Sequence, residues 1–148
     1  MNWKRFLAAS VVIYVFIQAA DFLINSVFLK SENESLAKLW RPDMMSHAWV
    51  MYVIGALVAL LFTYIFVKGR EGKGIPEGIR FGVIIWLFVH VPMSASLWVL
   101  LPISWKILLK GLIYGLLETI IAGILVAVIY KPAVPAKSAA PVPAPAQP

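Results

Sequence analysis

Three ionisable side chains lie near the middle of three separate apolar stretches, and they are the residues best suited to chemistry: Asp21, His90 and Glu118. A charged side chain at the centre of a membrane-spanning segment costs about 2.5–3.5 kcal/mol on insertion scales, so such residues face protein or water and mark function. Two carboxylates and an imidazole are suited to relaying protons, because an imidazole titrates near neutral pH. The same set also resembles an open ligand set for a metal ion. The sequence leaves both chemistries open, since it does not encode whether the three residues meet.

Asp21 belongs to a stripe of polar side chains in the first apolar stretch. Spacings of three and four residues place the stripe on one helical face, and its members are Ser10, Tyr14, Gln18, Asp21 and Asn25. The candidate intramembrane polar core has six members: Gln18, Asp21, Asn25, His90, Glu118 and Thr119. One interpretation is a functional site, and the other is a set of interhelical hydrogen bonds that hold the helices in register.

The fourth apolar stretch carries small residues at intervals of four. Gly111 and Gly115 begin the series, which continues through Thr119 and Gly123. Small residues at this spacing let a neighbouring backbone approach closely, which drives helix packing in lipid. We therefore predict that Gly111, Gly115 and Gly123 form a packing face with Glu118 directed inward. The partner is either the first helix or a second copy of the chain.

His90 lies two residues before a proline in the third stretch. Pro92 removes a backbone donor and clashes one turn back, which predicts a kink with the carbonyl of Phe88 unpaired. The kink either opens room for water or a ligand or is filled by neighbouring side chains.

The composition predicts the elements that position these residues. Hydrophobic residues make up 61% of the 148 residues and charged residues only 14%, with a mean hydropathy of +0.87, whereas soluble domains carry about 25% charged residues. Four stretches approach or exceed the roughly 20 residues that cross a bilayer: Phe6–Leu29, His47–Val67, Phe81–Leu101 and Ile107–Tyr130. We predict an all-α polytopic membrane protein, with residues 1–130 as four transmembrane helices in an antiparallel bundle. The first stretch is interpreted as a retained helix, because Gln18 does not fit a signal-peptide cleavage site.

The connectors and tail set the expected orientation. Residues 131–148 are rich in Pro and Ala and are predicted to be a disordered cytoplasmic tail. Both termini share a side with the second connector, and eight basic residues lie there against five on the other side. The positive-inside rule then places the N- and C-termini in the cytoplasm and the protein in the cell inner membrane.

Several classes of function find no support in the sequence. The chain has no cysteine, which excludes disulfides and thiol-based metal sites. No nucleophile motif is present, and His47 and His90 are placed too far apart in depth for paired haem ligation. We predict no catalytic residues, no cofactor and no nucleic-acid partner, and we expect the basic residues to serve orientation.

The general pattern is similar to small bacterial four-helix inner-membrane proteins of unknown activity. The pattern consists of an acid in the first helix, Gly78-Ile79-Arg80-Phe81-Gly82 opening the third, and a Gly-rich fourth ending in Ile129-Tyr130-Lys131. Small multidrug transporters also have four spans and a membrane acid, but the residues around Asp21 do not match their glutamate motif. The resemblance implies a fold and carries no activity.

The sequence therefore favours a non-enzymatic membrane component, either an accessory subunit of a larger membrane complex or a self-associating bundle. The alternative is a small proton-coupled transporter or ion pathway that uses Asp21 and Glu118.

Overall fold

The computed structural model describes residues 2–130, which fold into helices and short connectors without any strand. Four helices in this part of the chain are long and apolar enough to cross a membrane, which confirms that prediction: Trp3–Phe28, Met44–Gly69, Ile75–Leu100 and Trp105–Ile129. We call them the first to fourth long helices. The predicted disordered tail, residues 131–148, lies outside the described residues.

Two of the long helices contain a π-helical turn. The first consists of an α-helix, Trp3–Leu23, and a π-helical turn, Ile24–Phe28. The third consists of an α-helix, Ile75–Ile85, a π-helical turn, Trp86–His90, and a second α-helix, Val91–Leu100. Such widened turns are rare in α-helices and occur often at functional sites.

The second long helix opens with a 3₁₀ turn, Met44–His47, before the α-helix Ala48–Gly69, and the fourth is one α-helix. A short α-helix, Lys30–Ser35, and a 3₁₀ turn, Ala37–Leu39, lie between the first two long helices.

The helix ends differ from the predicted boundaries for identifiable reasons. The first helix begins before Phe6 because the Asn2 side chain caps it, accepting the Arg5 N–H at 3.2 Å. The third begins at Ile75, ahead of the predicted Phe81, with Pro76 in its first turn, where a missing N–H costs nothing.

The four helices pack in a chain of neighbours: the second lies on the first, the first on the fourth, and the fourth on the third. The N–H of Asn2 donates to the Tyr130 hydroxyl at 3.0 Å, which joins the start of the first helix to the end of the fourth. Along the other contact, Gly78 faces Gly123 and His90 faces Gly115. In these two pairs, the first with the fourth helix and the third with the fourth, early residues of one helix therefore lie beside late residues of the other.

Burial is concentrated in one half of the bundle, which contains both Asn2 and Tyr130 and is called the terminal half below. Apart from Leu29, the buried residues fall within 6–13, 59–66, 77–82 and 115–130. Phe81 packs edge-on against Phe62 and Phe66, with ring centroids 4.8 and 5.3 Å away. These rings close the gap between the second and third helices at that end. The other half, called the far half, is loosely packed.

Glycines bring the third and fourth helices together, backbone against backbone. A Cβ on Gly78 would lie 2.3 Å from the Gly123 carbonyl oxygen, and a Cβ on Gly82 would lie 2.4 Å from that of Thr119. The main partner of the small-residue face is therefore the third helix. Gly115 and Gly123 lie in this face, but Gly111 does not, because a Cβ there would meet nothing within 4 Å.

Candidate functional site

A cavity of about 280 Å³ lies between the helices at the border of the two halves, and all four long helices line it. Its polar lining comes from three of them, with Gln18 and Asp21 on the first, His90 on the third, and Glu118 and Thr119 on the fourth. Phe62 and Ala122 lie toward the terminal half, and Met51 lies further out. The three ionisable groups singled out in the sequence thus share one cavity.

The four largest polar side chains in the cavity have no hydrogen-bond partner among the residues that the structure describes. Across residues 2–130, the side chains of Gln18, Asp21, His90 and Glu118 make no hydrogen bond to another residue. Asp21 is exposed, and the other three are partly buried. Their hydrogen-bonding capacity is therefore available to whatever enters the cavity.

Two glycines make space for these polar groups. A Cβ on Gly115 would lie 2.6 Å from Nδ1 of His90, so the imidazole occupies the volume that a side chain would take. A Cβ on Gly55 of the second helix would likewise lie 2.9 Å from Oε1 of Gln18. Each glycine therefore fixes where a polar side chain can sit.

The backbone that leads to His90 forms a π-helical turn. The N–H of Val91 donates to the carbonyl of Trp86, five residues earlier, which is the π-helical pattern. The indole N–H of Trp86 donates to the carbonyl of Leu112 at 2.9 Å and ties this turn to the fourth helix. This π-helical turn ends at His90, two residues before Pro92, and the kink at Pro92 stays a prediction.

Other members of the polar stripe lie outside the cavity. Asn25 does not line it: its Nδ2 donates to the carbonyl of Asp21 at 2.9 Å, and its own side chain and carbonyl accept from Asn33. Asn25 is therefore part of the connection to the short helix Lys30–Ser35. Ser10 donates to the carbonyl of Phe6 within its own helix, and Tyr14 lies against Gly55.

Thr119 lines the cavity but bonds within its own helix, with its hydroxyl donating to the carbonyl of Gly115 at 2.9 Å. The interhelical hydrogen bonds expected among the six candidate core residues are thus missing from the part of the chain that is described. The interpretation of these residues as a hydrogen-bonded clamp between helices does not fit this geometry.

Glu118 also borders a second space on the other side of the contact between the first and fourth helices. This apolar groove of about 420 Å³ is lined by Ala19, Ala20, Phe28 and Tyr114, among other residues. Phe28 and Tyr114 stack there with ring centroids 5.4 Å apart. Glu118 therefore lies in a thin wall between the polar cavity and an apolar groove.

The cavity has a one-sided charge distribution. Its lining includes the carboxyl groups of Asp21 and Glu118 but neither lysine nor arginine. In residues 2–130, no three His, Asp or Glu side chains lie close enough together to share a metal ion. The arrangement suits protons or a cation held by separate groups better than a metal held by a compact ligand set.

An ion pair anchors the short helix beside the far end of the fourth helix. The Lys110 ammonium donates to the Glu32 carboxylate, and the Ser31 hydroxyl donates to the same group at 2.9 Å. These two donors lower the pKa of Glu32 to about 2. Ser31 is thus bonded to the side chain of its neighbour Glu32.

Several residues of the site lie outside the candidates chosen from the sequence. Gly55, Met51 and Phe62 make the second helix a cavity wall, and Gly78 and Gly82 supply the other side of the glycine contact. The Gly78-x-x-x-Gly82 spacing was the available signal for that contact. Gly55 is the one glycine between residues 48 and 68, but nothing in the sequence pairs it with Gln18.

No protein-family model, curated protein or solved structure matches this chain.

Proposed function

We propose that the chain is a multi-pass inner-membrane protein that conducts protons, or couples them to transport, through the cavity bordered by Asp21, His90 and Glu118. The observation that carries this proposal is the set of unpaired polar side chains that converge on one cavity from three helices. These side chains border an open cavity and not a closed core, since Asp21 is exposed and Gln18, His90 and Glu118 are partly buried. Residues that served only to hold the bundle together would be expected to satisfy one another.

The proposed orientation places the terminal half toward the cytoplasm, with the four helices crossing antiparallel. Its support is the excess of basic residues on that side, following the positive-inside rule: Lys4, Arg5, Lys68, Arg70, Lys73, Arg80, Lys131 and Lys137, against Lys30, Lys38, Arg41, Lys106 and Lys110. In this orientation the packed aromatic cluster of Phe62, Phe66 and Phe81 separates the cavity from the cytoplasm. The loosely packed far half leads outward.

The test is proton flux into proteoliposomes that contain the purified full-length chain and a trapped pH-sensitive dye. With an imposed pH gradient and a potassium diffusion potential, the wild type is expected to acidify the lumen faster than empty liposomes. Asp21→Asn and Glu118→Gln remove the ionisable groups with little change in shape, so each is expected to abolish the protein-dependent flux. Asn25→Ala is the matched control, because Asn25 lies one helical turn from Asp21 but outside the cavity. Wild-type flux in both carboxyl variants would overturn the proposal.

A second candidate function is that of an accessory or self-associating membrane component. It is favoured by the outer part of the third helix, where no residue of its most apolar 18-residue segment is buried. Phe88, Val99 and Leu100 are 75–78% exposed, and such a surface fits lipid, another subunit or a second copy. Native mass spectrometry after gentle extraction is expected to show a larger complex or a homo-oligomer. A lone chain in several mild detergents would count against this function.

A further inference from the structure

We infer that the cavity binds a protonated primary amine attached to a small apolar body. This inference rests on the proposed role of the cavity as a transport pathway and adds the chemical class of the ligand. The inference is based on one space that holds both three unpaired oxygen-bearing side chains, Gln18, Asp21 and Glu118, and a wall of apolar side chains.

The polar side of the cavity favours a cation with several N–H donors. The carboxylates of Asp21 and Glu118 only accept hydrogen bonds when ionised, and the amide oxygen of Gln18 is a third acceptor. An alkylammonium group offers three N–H donors and one positive charge. Among the described residues no lysine or arginine borders the cavity, so the imidazole of His90, when protonated, is the one cationic group of the lining that competes with a bound ammonium group.

The opposite side of the cavity favours an apolar body. Its lining includes Met51, Ile54 and Val58 from the second helix and Ile85 and Val89 from the third. The volume of about 280 Å³ lies at the lower limit of ordinary ligand pockets, which begin at about 300 Å³. The apolar body is therefore small, about the size of one aromatic ring with a short linker.

The geometry also selects against close relatives of such an amine. A quaternary ammonium group has the same charge but no N–H donor, so it cannot hydrogen bond to any of these acceptors. A neutral hydrocarbon of the same shape leaves the carboxylates without a counter-charge. A site built to hydrogen-bond a ligand rejects analogues that lack the bonding group more strongly than it rejects changes in apolar bulk.

The experiment compares three ligands that share a phenylethyl body by calorimetry on the full-length protein in lipid nanodiscs, with the heat from protein-free nanodiscs subtracted. The ligands are 2-phenylethylammonium, its trimethylammonium analogue and neutral propylbenzene. The Kd of the primary amine is expected to be about ten-fold lower than that of either other ligand. Equal binding of the trimethylammonium analogue or of propylbenzene would overturn the inference.

Two variants localise the binding. Gln18→Met keeps the approximate shape and removes the amide acceptor, and Asp21→Asn removes a charge, so both are expected to weaken binding of the primary amine without affecting propylbenzene. Asn25→Leu is the control outside the cavity and is expected to bind like the wild type. Unchanged amine affinity in both cavity variants would overturn the inference. Thermal melting of each variant establishes that the bundle is intact.

The outcomes separate this inference from the proposed function. Proton flux that depends on Asp21 but occurs without any preference for the primary amine would overturn the inference and leave the proposed function standing. Selective amine binding without proton flux would support the inference and overturn the proposed function.

Discussion

The imidazole of His90 occupies the space that the missing side chain of Gly115 leaves on the fourth helix. A Cβ at Gly115 would lie 2.6 Å from Nδ1 and 3.0 Å from Cε1 of the ring. The contact joins the end of the π-helical turn Trp86–His90 to the fourth helix, one turn before Glu118. A single glycine therefore sets where the titratable ring lies relative to the cavity.

Gly115→Ala is expected to displace His90 and to reduce proton flux by about ten-fold, equivalent to about 1.4 kcal/mol. The added methyl group would lie 2.6 Å from Nδ1 of the ring, so the ring must rotate or the two helices must separate. Proteoliposome flux is the measurement. Gly111→Ala is the matched control, because it lies one turn away on the same helix with nothing within 4 Å of the new Cβ. Equal flux in the two variants would show that the ring position is unimportant.

Gly123→Ala is expected to destabilise the protein. Overpacking typically lowers the free energy of unfolding by about 1–3 kcal/mol, and we expect a loss at least that large. The new Cβ would lie 2.1 Å from the Gly78 carbonyl oxygen, and a backbone atom cannot move aside as a flexible side chain can. Reversible unfolding in mixed detergent micelles measures the change. Gly69→Ala is the control, since a Cβ there meets nothing within 4 Å. A Gly123→Ala protein as stable as this control would contradict the close backbone contact.

Glu77→Ala is expected to release the connector between the second and third helices. Glu77 as a residue is 5% exposed, and its carboxylate accepts the backbone N–H groups of Glu71 and Lys73, the latter at 2.8 Å. Removing the carboxylate removes both hydrogen bonds, each of which contributes about 0.5–1.5 kcal/mol net. Amide hydrogen exchange at residues 71 and 73 is expected to accelerate, whereas the exposed-site variant Glu34→Ala is expected to exchange as the wild type does. Unchanged protection in Glu77→Ala would mean that other contacts hold this connector.

The Glu32–Lys110 ion pair is expected to make the position of the short helix Lys30–Ser35 depend on pH. The Lys110 ammonium and the Ser31 hydroxyl lower the pKa of Glu32 from its ordinary 4.5 to about 2. A lowered pKa in the folded state means that the stabilisation is complete above pH 4.5 and is lost as the pH falls toward 2. Because the chain has no native cysteine, a spin label at Ser35→Cys reports on this helix alone, and its mobility is expected to rise over that range.

Glu32→Gln is expected to give a mobile label at every pH, because the ion pair is already absent. Glu34→Gln is the control that keeps the pair and removes a neighbouring carboxylate. If the label in Glu32→Gln still showed the wild-type pH profile, another group would be responsible for the transition.

Hydropathy predicted the long helices well, because twenty or so apolar residues between polar connectors are a strong local signal. It predicted their ends less well, because those depend on single capping contacts such as that of Asn2 and on the tolerance of a first helical turn for Pro76. The site candidates were chosen by periodicity and depth. Periodicity placed Gln18, Asp21 and Asn25 on one face, but the π-helical turn that begins at Ile24 changes the register, and Asn25 bonds to Asn33 instead of entering the cavity.

By itself the sequence therefore determined local properties. These are four apolar helices, an ionisable residue near the middle of three of them, and small residues at spacings that allow close helix packing. Only the tertiary structure decided which of these meet. It paired the fourth helix with Gly78 and Gly82 of the third, left Gly111 without a contact, and brought Asp21, His90 and Glu118 to one cavity with the second helix as its apolar wall. The physical reason is that hydropathy and helical periodicity act along the chain, whereas the fit of His90 over Gly115 is a contact between surfaces that no local pattern specifies.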